Sequence, residues 1–120
     1  MKLLDIVKLL DAKILYGEDI INEIDVITAF ASDMLSDVLA YAQKNAIFIT
    51  GLTNPQVLRT VEVLDLTSVI FVRGKTPPKE TIELARIKKI PIITTRCIMF
   101  ETCGRLFSAG IVSSIISIDE

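Results

Sequence analysis

Apolar residues recur along this chain in two rhythms, one helical and one strand-like. Between Met1 and Leu10, the residues Leu3, Leu4, Ile6, Val7 and Leu10 fall at helical spacing, with Lys2, Asp5 and Lys8 between them, which predicts a short amphipathic helix. Lys13 to Tyr16 reads as a strand and Gly17-Glu18-Asp19 as a turn. The β-rich run Val26-Ile27-Thr28-Ala29-Phe30 places a second strand within Ile24 to Phe30. Ser32 or Asp33 then caps a helix to about Gln43, with Leu35, Val38, Leu39 and Ala42 as its buried stripe. Ala46 to Thr50 is a strand, and Pro55 to Leu64 a helix buried through Val57, Leu58, Val61 and Leu64. Ser68 to Val72 is continuously apolar, as expected of a strand covered on both faces. A helix follows to Lys88, with Pro77 and Pro78 in its first turn, Ile82, Ala85 and Ile87 apolar, and Arg86, Lys88 and Lys89 complementing its C-terminal dipole. Pro91 to Thr94 is a strand, Met99 to Ala109 a helix stopped by Gly110 in the left-handed region, and Ile111 to Ile118 is strand-like with three serines among the isoleucines.

The stretch Ile47 to Gln56 organises the rest. A strand ends in Thr50-Gly51, and Asn54-Pro55 then opens a helix, because Asn is a good N-cap and Pro tolerates the first helical position. The same strand-to-turn grammar returns at Val69 to Pro78 and at Ile92 to Arg96. Strands alternating with helices imply right-handed crossovers and a parallel sheet. The expected fold is α/β: a single domain over residues 1–120 with a mainly parallel sheet between helical layers.

Composition narrows the class. The 120 residues are 51% hydrophobic, with a mean hydropathy of +0.54. A sheet buried on both faces accounts for that, as does an oligomer interface. A net charge of −2, no block of Lys or Arg and 6% aromatics argue against nucleic-acid binding. No apolar stretch approaches the ~18 residues of a membrane span, and Asp5 and Asp11 interrupt the N-terminal apolar pattern, so no signal peptide is read there. Cys97 and Cys103 match no metal-binding spacing, and with no histidine anywhere neither a metal site nor a cofactor is expected. Two isolated thiols suit a reducing cytoplasm. The missing imidazole also removes the commonest general base.

Candidate chemistry lies beyond the carboxyl ends of the strands, where open parallel sheets bind ligands. The first end offers Thr50, Gly51, Thr53 and Asn54; the second Arg73, Gly74 and Lys75; the third Thr94, Thr95 and Arg96. Hydroxyls, glycines, cations and helix N-termini together make a cradle for a phosphate or nucleotide. The same residues equally serve as turns, caps and solvated rim charges, and both readings stay open. Gly74-Lys75-Thr76 is not a P-loop, because Val69 occupies the position of the first glycine and Pro77-Pro78 follow at once. Asp33 and Asp37, four apart, suit either a divalent cation or an acidic first turn, and the helix dipole explains the latter.

Four spaced segments, Ala31 to Leu39, Ile49 to Gln56, Phe71 to Lys75 and Met99 to Leu106, resemble the DRTGG-domain family, and the chain is also similar to the N-terminal domain of HPr kinase/phosphorylase. The chain nowhere reads Asp-Arg-Thr-Gly-Gly; Arg73-Gly74-Lys75 stands at the corresponding strand end. The resemblance implies a small dimer-forming α/β domain, often a regulatory accessory to enzymes, without the P-loop domain that transfers phosphate. The expected function is a non-catalytic regulatory module that forms a homodimer, serves a partner enzyme or regulatory protein, and takes an anionic small molecule at the strand ends. The alternatives are a purely structural dimerisation domain, or a subunit of an enzyme acting on a phosphorylated substrate.

Overall fold

The computed structural model describes residues 1–114. In chain order it contains α1 (Leu3–Leu9), β1 (Lys13–Tyr16), a 3-10 turn (Ile21–Glu23), β2 (Thr28–Ala31), α2 (Leu35–Tyr41), β3 (Ile47–Thr50), α3 (Gln56–Leu64), β4 (Ser68–Phe71), α4 (Lys79–Lys88), β5 (Ile92–Thr94), α5 (Met99–Ser108) and β6 (Val112–Ser113). The six strands form one sheet in the order β1-β5-β4-β3-β2-β6. Only β1 runs antiparallel, against β5, with a register irregularity between Ile14 and Tyr16. All other pairings are parallel.

Alternation along the central strands feeds two cores. Ile47, Ile49, Ile70, Val72 and Ile93 point to the layer of α1 and α5, where they meet Leu3, Ile6, Leu10 and Leu106. Phe48, Val69, Phe71 and Ile92 point to the layer of α2, α3 and α4, where they meet Val38, Val57, Leu58, Val61 and Ala85. The continuous apolar runs of β3 and β4 are thus buried on both sides, as the pattern predicts. From β2 to β5 each crossover steps the same way, and the connection through α5 returns to the far side of β2. The sheet therefore reverses its order between β2 and β6.

Several boundaries shift from the sequence reading. α2 ends at Tyr41 because Ala42 is already extended, and Leu39 is exposed. α4 begins at Lys79; Pro78 is extended (φ −63°, ψ 159°), so the two prolines precede the helix rather than form its first turn. Ile87 is exposed as well. Gly110, at φ +107°, closes α5: its N–H donates to the Phe107 carbonyl at 3.1 Å and the Ile111 N–H to the Leu106 carbonyl at 3.0 Å. Asp11, Asp65 and Lys89 close α1, α3 and α4 with the same bonding, although none is glycine. Val112 and Ser113 form β6, while the rest of the predicted Ile111 to Ile118 strand lies outside the described residues.

Candidate functional site

Parallel pairing brings the carboxyl ends of β2, β3, β4 and β5 to one edge of the sheet. At the end of β3, Gly51 donates its N–H to Asp33 Oδ1 at 2.6 Å, and the Thr50 hydroxyl donates to the same oxygen at 3.1 Å. Asp33 therefore does not cap α2. It leaves the end of β2 to hold the β3 turn, while Ser32 Oγ accepts the Met34 N–H at 2.9 Å. The Leu52 N–H donates back to Thr50 Oγ1 at 3.1 Å. Sequence reasoning placed Asp33 with Asp37 on one helix face. Neither Ser32 nor Asp33 caps α2 as the sequence reading expects: Met34 stands at its N-cap position, and no side chain caps the first turn.

The α3 start follows the prediction. Pro55 already has helical dihedrals (φ −60°, ψ −22°), and Asn54 Oδ1 accepts the Gln56 N–H at 3.0 Å. The Thr53 carbonyl accepts the Thr81 hydroxyl at 2.8 Å, tying this turn to α4. Thr53 and Asn54 are thus engaged in holding the loop.

At the end of β4, Arg73 and Gly74 both adopt left-handed conformations (φ 65° and 66°). The Lys75 N–H donates back to the Val72 carbonyl at 3.4 Å, so this is a tight turn with positive φ at both central residues. A non-glycine residue in that region carries strain. The strain is held by two bonds: the Arg73 N–H donates to the Cys97 carbonyl at 2.9 Å and the Gly74 N–H to the Thr95 carbonyl at 2.8 Å. The Thr94 hydroxyl donates to the Lys75 carbonyl at 2.7 Å. The buried Thr95 hydroxyl donates to the Leu10 carbonyl at 2.9 Å and accepts the Cys97 N–H at 3.2 Å.

The edge thus differs from the cradle drawn from sequence. The hydroxyls of Thr50, Thr94 and Thr95 and the N–H groups of Gly51, Arg73 and Gly74 are already engaged within the protein. The exposed side chains of Arg73, Lys75 and Arg96 are not: among the described residues they make no ion pair and no hydrogen bond. The two glycines differ in kind. A Cβ on Gly51 would lie 2.5 Å from Arg73 Nη2, so its bareness gives the guanidinium room to rest on the β3 turn. Gly74 has space, with Arg96 Cγ 3.9 Å from a Cβ, and is required by its φ. Arg96 also borders a shallow depression lined by Leu10, Asp11, Cys97, Glu101 and Arg105.

Cys97 and Cys103 are free thiols, and burial raises the Cys103 pKa above its ordinary value. Among the described residues no three His, Cys, Asp or Glu side chains gather as metal ligands, and no helix is long and apolar enough to cross a membrane.

A mainly parallel sheet covered by helices on both faces defines an α/β domain. Residues 5–109 match the DRTGG domain, and the chain belongs to that family. By sequence alone it matches no curated protein. A similar solved structure is that of the CBS and DRTGG domains of the regulatory region of Clostridium perfringens pyrophosphatase, complexed with its activator diadenosine tetraphosphate. The TM-score is 0.70 at 21% identity, over 99% of this chain and 51% of that one. The two share the fold, and this chain spans about half the length of that relative.

Proposed function

We propose that this DRTGG domain is a non-catalytic regulatory module that binds a phosphate-bearing small molecule, such as a nucleotide, at the carboxyl edge of β3, β4 and β5. The observation that carries the reading is the set of three unpaired, exposed cations, Arg73, Lys75 and Arg96, beside turns in which the hydroxyls of Thr50, Thr94 and Thr95 and the N–H groups of Gly51, Arg73 and Gly74 are engaged. Recognition then rests on side-chain charge rather than on a backbone nest, which suits an anion at the surface. The pyrophosphatase regulatory region of the same fold, crystallised with a dinucleotide activator, supports a role of this kind in the service of an enzyme; that the module acts as a homodimer is part of the same proposal. The lack of histidine and of a complete P-loop speaks against phosphoryl transfer by the chain itself.

The test is thermal melting against a panel of nucleotides and phosphorylated metabolites, since a ligand that binds only the native state raises the melting temperature. Arg73→Ala and Lys75→Ala should leave stability within about 0.5 kcal/mol of wild type and cost binding roughly 1.5–3 kcal/mol each. Full affinity in both variants moves the ligand elsewhere. ATP hydrolysis, or phosphorylation of HPr, that is lost in Lys75→Ala would falsify the non-catalytic reading.

A second reading, a purely structural dimerisation domain, draws on a different observation: α5 carries two largely exposed phenylalanines, Phe100 and Phe107. A melting panel without any shift, together with a stable dimer, selects that reading.

A further inference from the structure

We infer that the anion taken up at the carboxyl edge is a nucleoside phosphate whose base lies in the groove at the start of α5, on the bare backbone of Gly104 between Phe100 and Arg105. The inference rests on the reading of that edge as an anion site and names the class of its ligand.

Two depressions lead from the cationic edge along α5. The first borders Arg96 and reaches Glu101 and Arg105. The second borders Ile98, Phe100 and Gly104, and Glu101 and Arg105 line it as well. The two are therefore continuous, and Phe100 follows Arg96 by only four residues. The second depression measures about 790 Å³, within the roughly 300–1,000 Å³ of small-molecule sites. Phe107, further along α5, lines a separate cleft with Ala29, Ala31 and Cys103 and takes no part.

The groove suits a flat ring that is apolar on its faces and polar at its rim. Phe100 is 84% exposed and Ile98 56% exposed, so an aromatic face and an aliphatic side chain stand open to solvent beside the cations. Gly104 lies one turn from Phe100 on the same stripe of the helix. A Cβ there would meet nothing within 4 Å, and a glycine inside a helix costs stability relative to alanine. No contact among the described residues requires it, whereas a bare backbone lets a ligand approach closely. The Arg105 guanidinium is held from two sides: Nη1 donates to the Leu9 carbonyl at 3.0 Å and Nη2 to Glu101 Oε2 at 2.6 Å. A fixed guanidinium plane and a phenyl ring are the two kinds of surface on which nucleobases stack. Glu101 supplies an acceptor for the amino group at a base edge, with its charge balanced by Arg105. A sugar phosphate would leave the phenyl ring in water, and a fatty acyl chain would cover Glu101 and Arg105 without a polar partner. A base matches both the ring and the ion pair.

Titration calorimetry at fixed ionic strength, comparing ATP and GTP with inorganic tripolyphosphate, tests this, because tripolyphosphate carries at least as much charge and no base. At least one of the nucleotides should bind roughly tenfold or more tightly than tripolyphosphate, the scale of one stacked base. Phe100→Ala and Gly104→Leu should each remove that advantage and leave tripolyphosphate affinity unchanged. Both variants should stay folded, since Phe100 is exposed and Gly104 has open space around it. Arg73→Ala should weaken the nucleotide and tripolyphosphate alike. Equal binding of nucleotides and tripolyphosphate to wild type, or an advantage that survives Phe100→Ala, overturns the base site and leaves the anion reading of the edge standing. If Phe100→Ala instead turns a sedimenting dimer into a monomer with the nucleotide advantage intact, the groove belongs to a second copy and the base site is likewise overturned. Nucleotide binding that is lost in Phe100→Ala but indifferent to Arg73→Ala and Lys75→Ala overturns the shared site. No binding of any of the three probes overturns the anion reading and this inference with it.

Discussion

Asp33 does with one carboxylate oxygen what the sequence assigns to a helix cap. By holding the Gly51 N–H and the Thr50 hydroxyl it fixes the floor on which the Arg73 guanidinium lies. Gly51→Ala should therefore separate scaffold from site. The new methyl group displaces only the flexible end of Arg73, so urea unfolding should shift by about 0.5 kcal/mol or less, while titration of an anionic ligand should show weaker binding. Unchanged affinity would mean that the resting place of Arg73 is irrelevant to binding. Cys103 makes a different residue-scale prediction. Burial raises its folded pKa, so the native state keeps a proton that the unfolded chain, titrating near about 8.5, gives up. The stability this thiol contributes is present below that value and is lost as pH rises through the folded pKa. The urea midpoint should fall on going from pH 7 to alkaline pH, and Cys103→Ala should remove that part of the fall.

At the scale of elements, Thr95 belongs to the scaffold. Its hydroxyl reaches the end of α1, 85 residues away in sequence, and is buried. Thr95→Val keeps the shape and leaves the Leu10 carbonyl and the Cys97 N–H without this partner, which should cost about 1–3 kcal/mol in chemical unfolding. A neutral result would return Thr95 to the list of ligand residues. This contrast marks what the sequence made legible. Helices and strands were readable because periodicity is local: Phe48 and Ile49 announce two buried faces within two positions. The carboxyl edge was readable because strand-turn-helix grammar repeats three times. What each edge residue does there was not readable. Thr95 and Asp33 act through partners 85 and 18 residues distant, and no spacing rule encodes such pairings. The prolines before α4 misled for a local reason. Pro suits a first helical turn, but Pro78 takes the extended ψ that is equally open to it.

At the scale of the molecule, charge and apolar surface sit in different places. Three unpaired cations, Arg73, Lys75 and Arg96, line the carboxyl edge of β4 and β5, while two exposed phenylalanines ride on α5. The described residues thus present two surfaces on one sheet, one cationic and one apolar. The backbone joins them. Arg73 and Gly74 hang from the carbonyls of Cys97 and Thr95, and the next residue, Ile98, is the one from which α5 starts. Should an anion bind at Arg73 and a partner seat on α5, this joint would couple the two, and by linkage each would change the other's affinity by the same factor. Coupling of this kind between sites typically changes affinity 5- to 150-fold, or about 1–3 kcal/mol. Ligand affinity measured above the dimerisation midpoint should then exceed affinity measured below it, and equal values would show the joint to be passive. A domain in which the two were coupled would report its own concentration together with that of its ligand, so that neither signal alone would set its state.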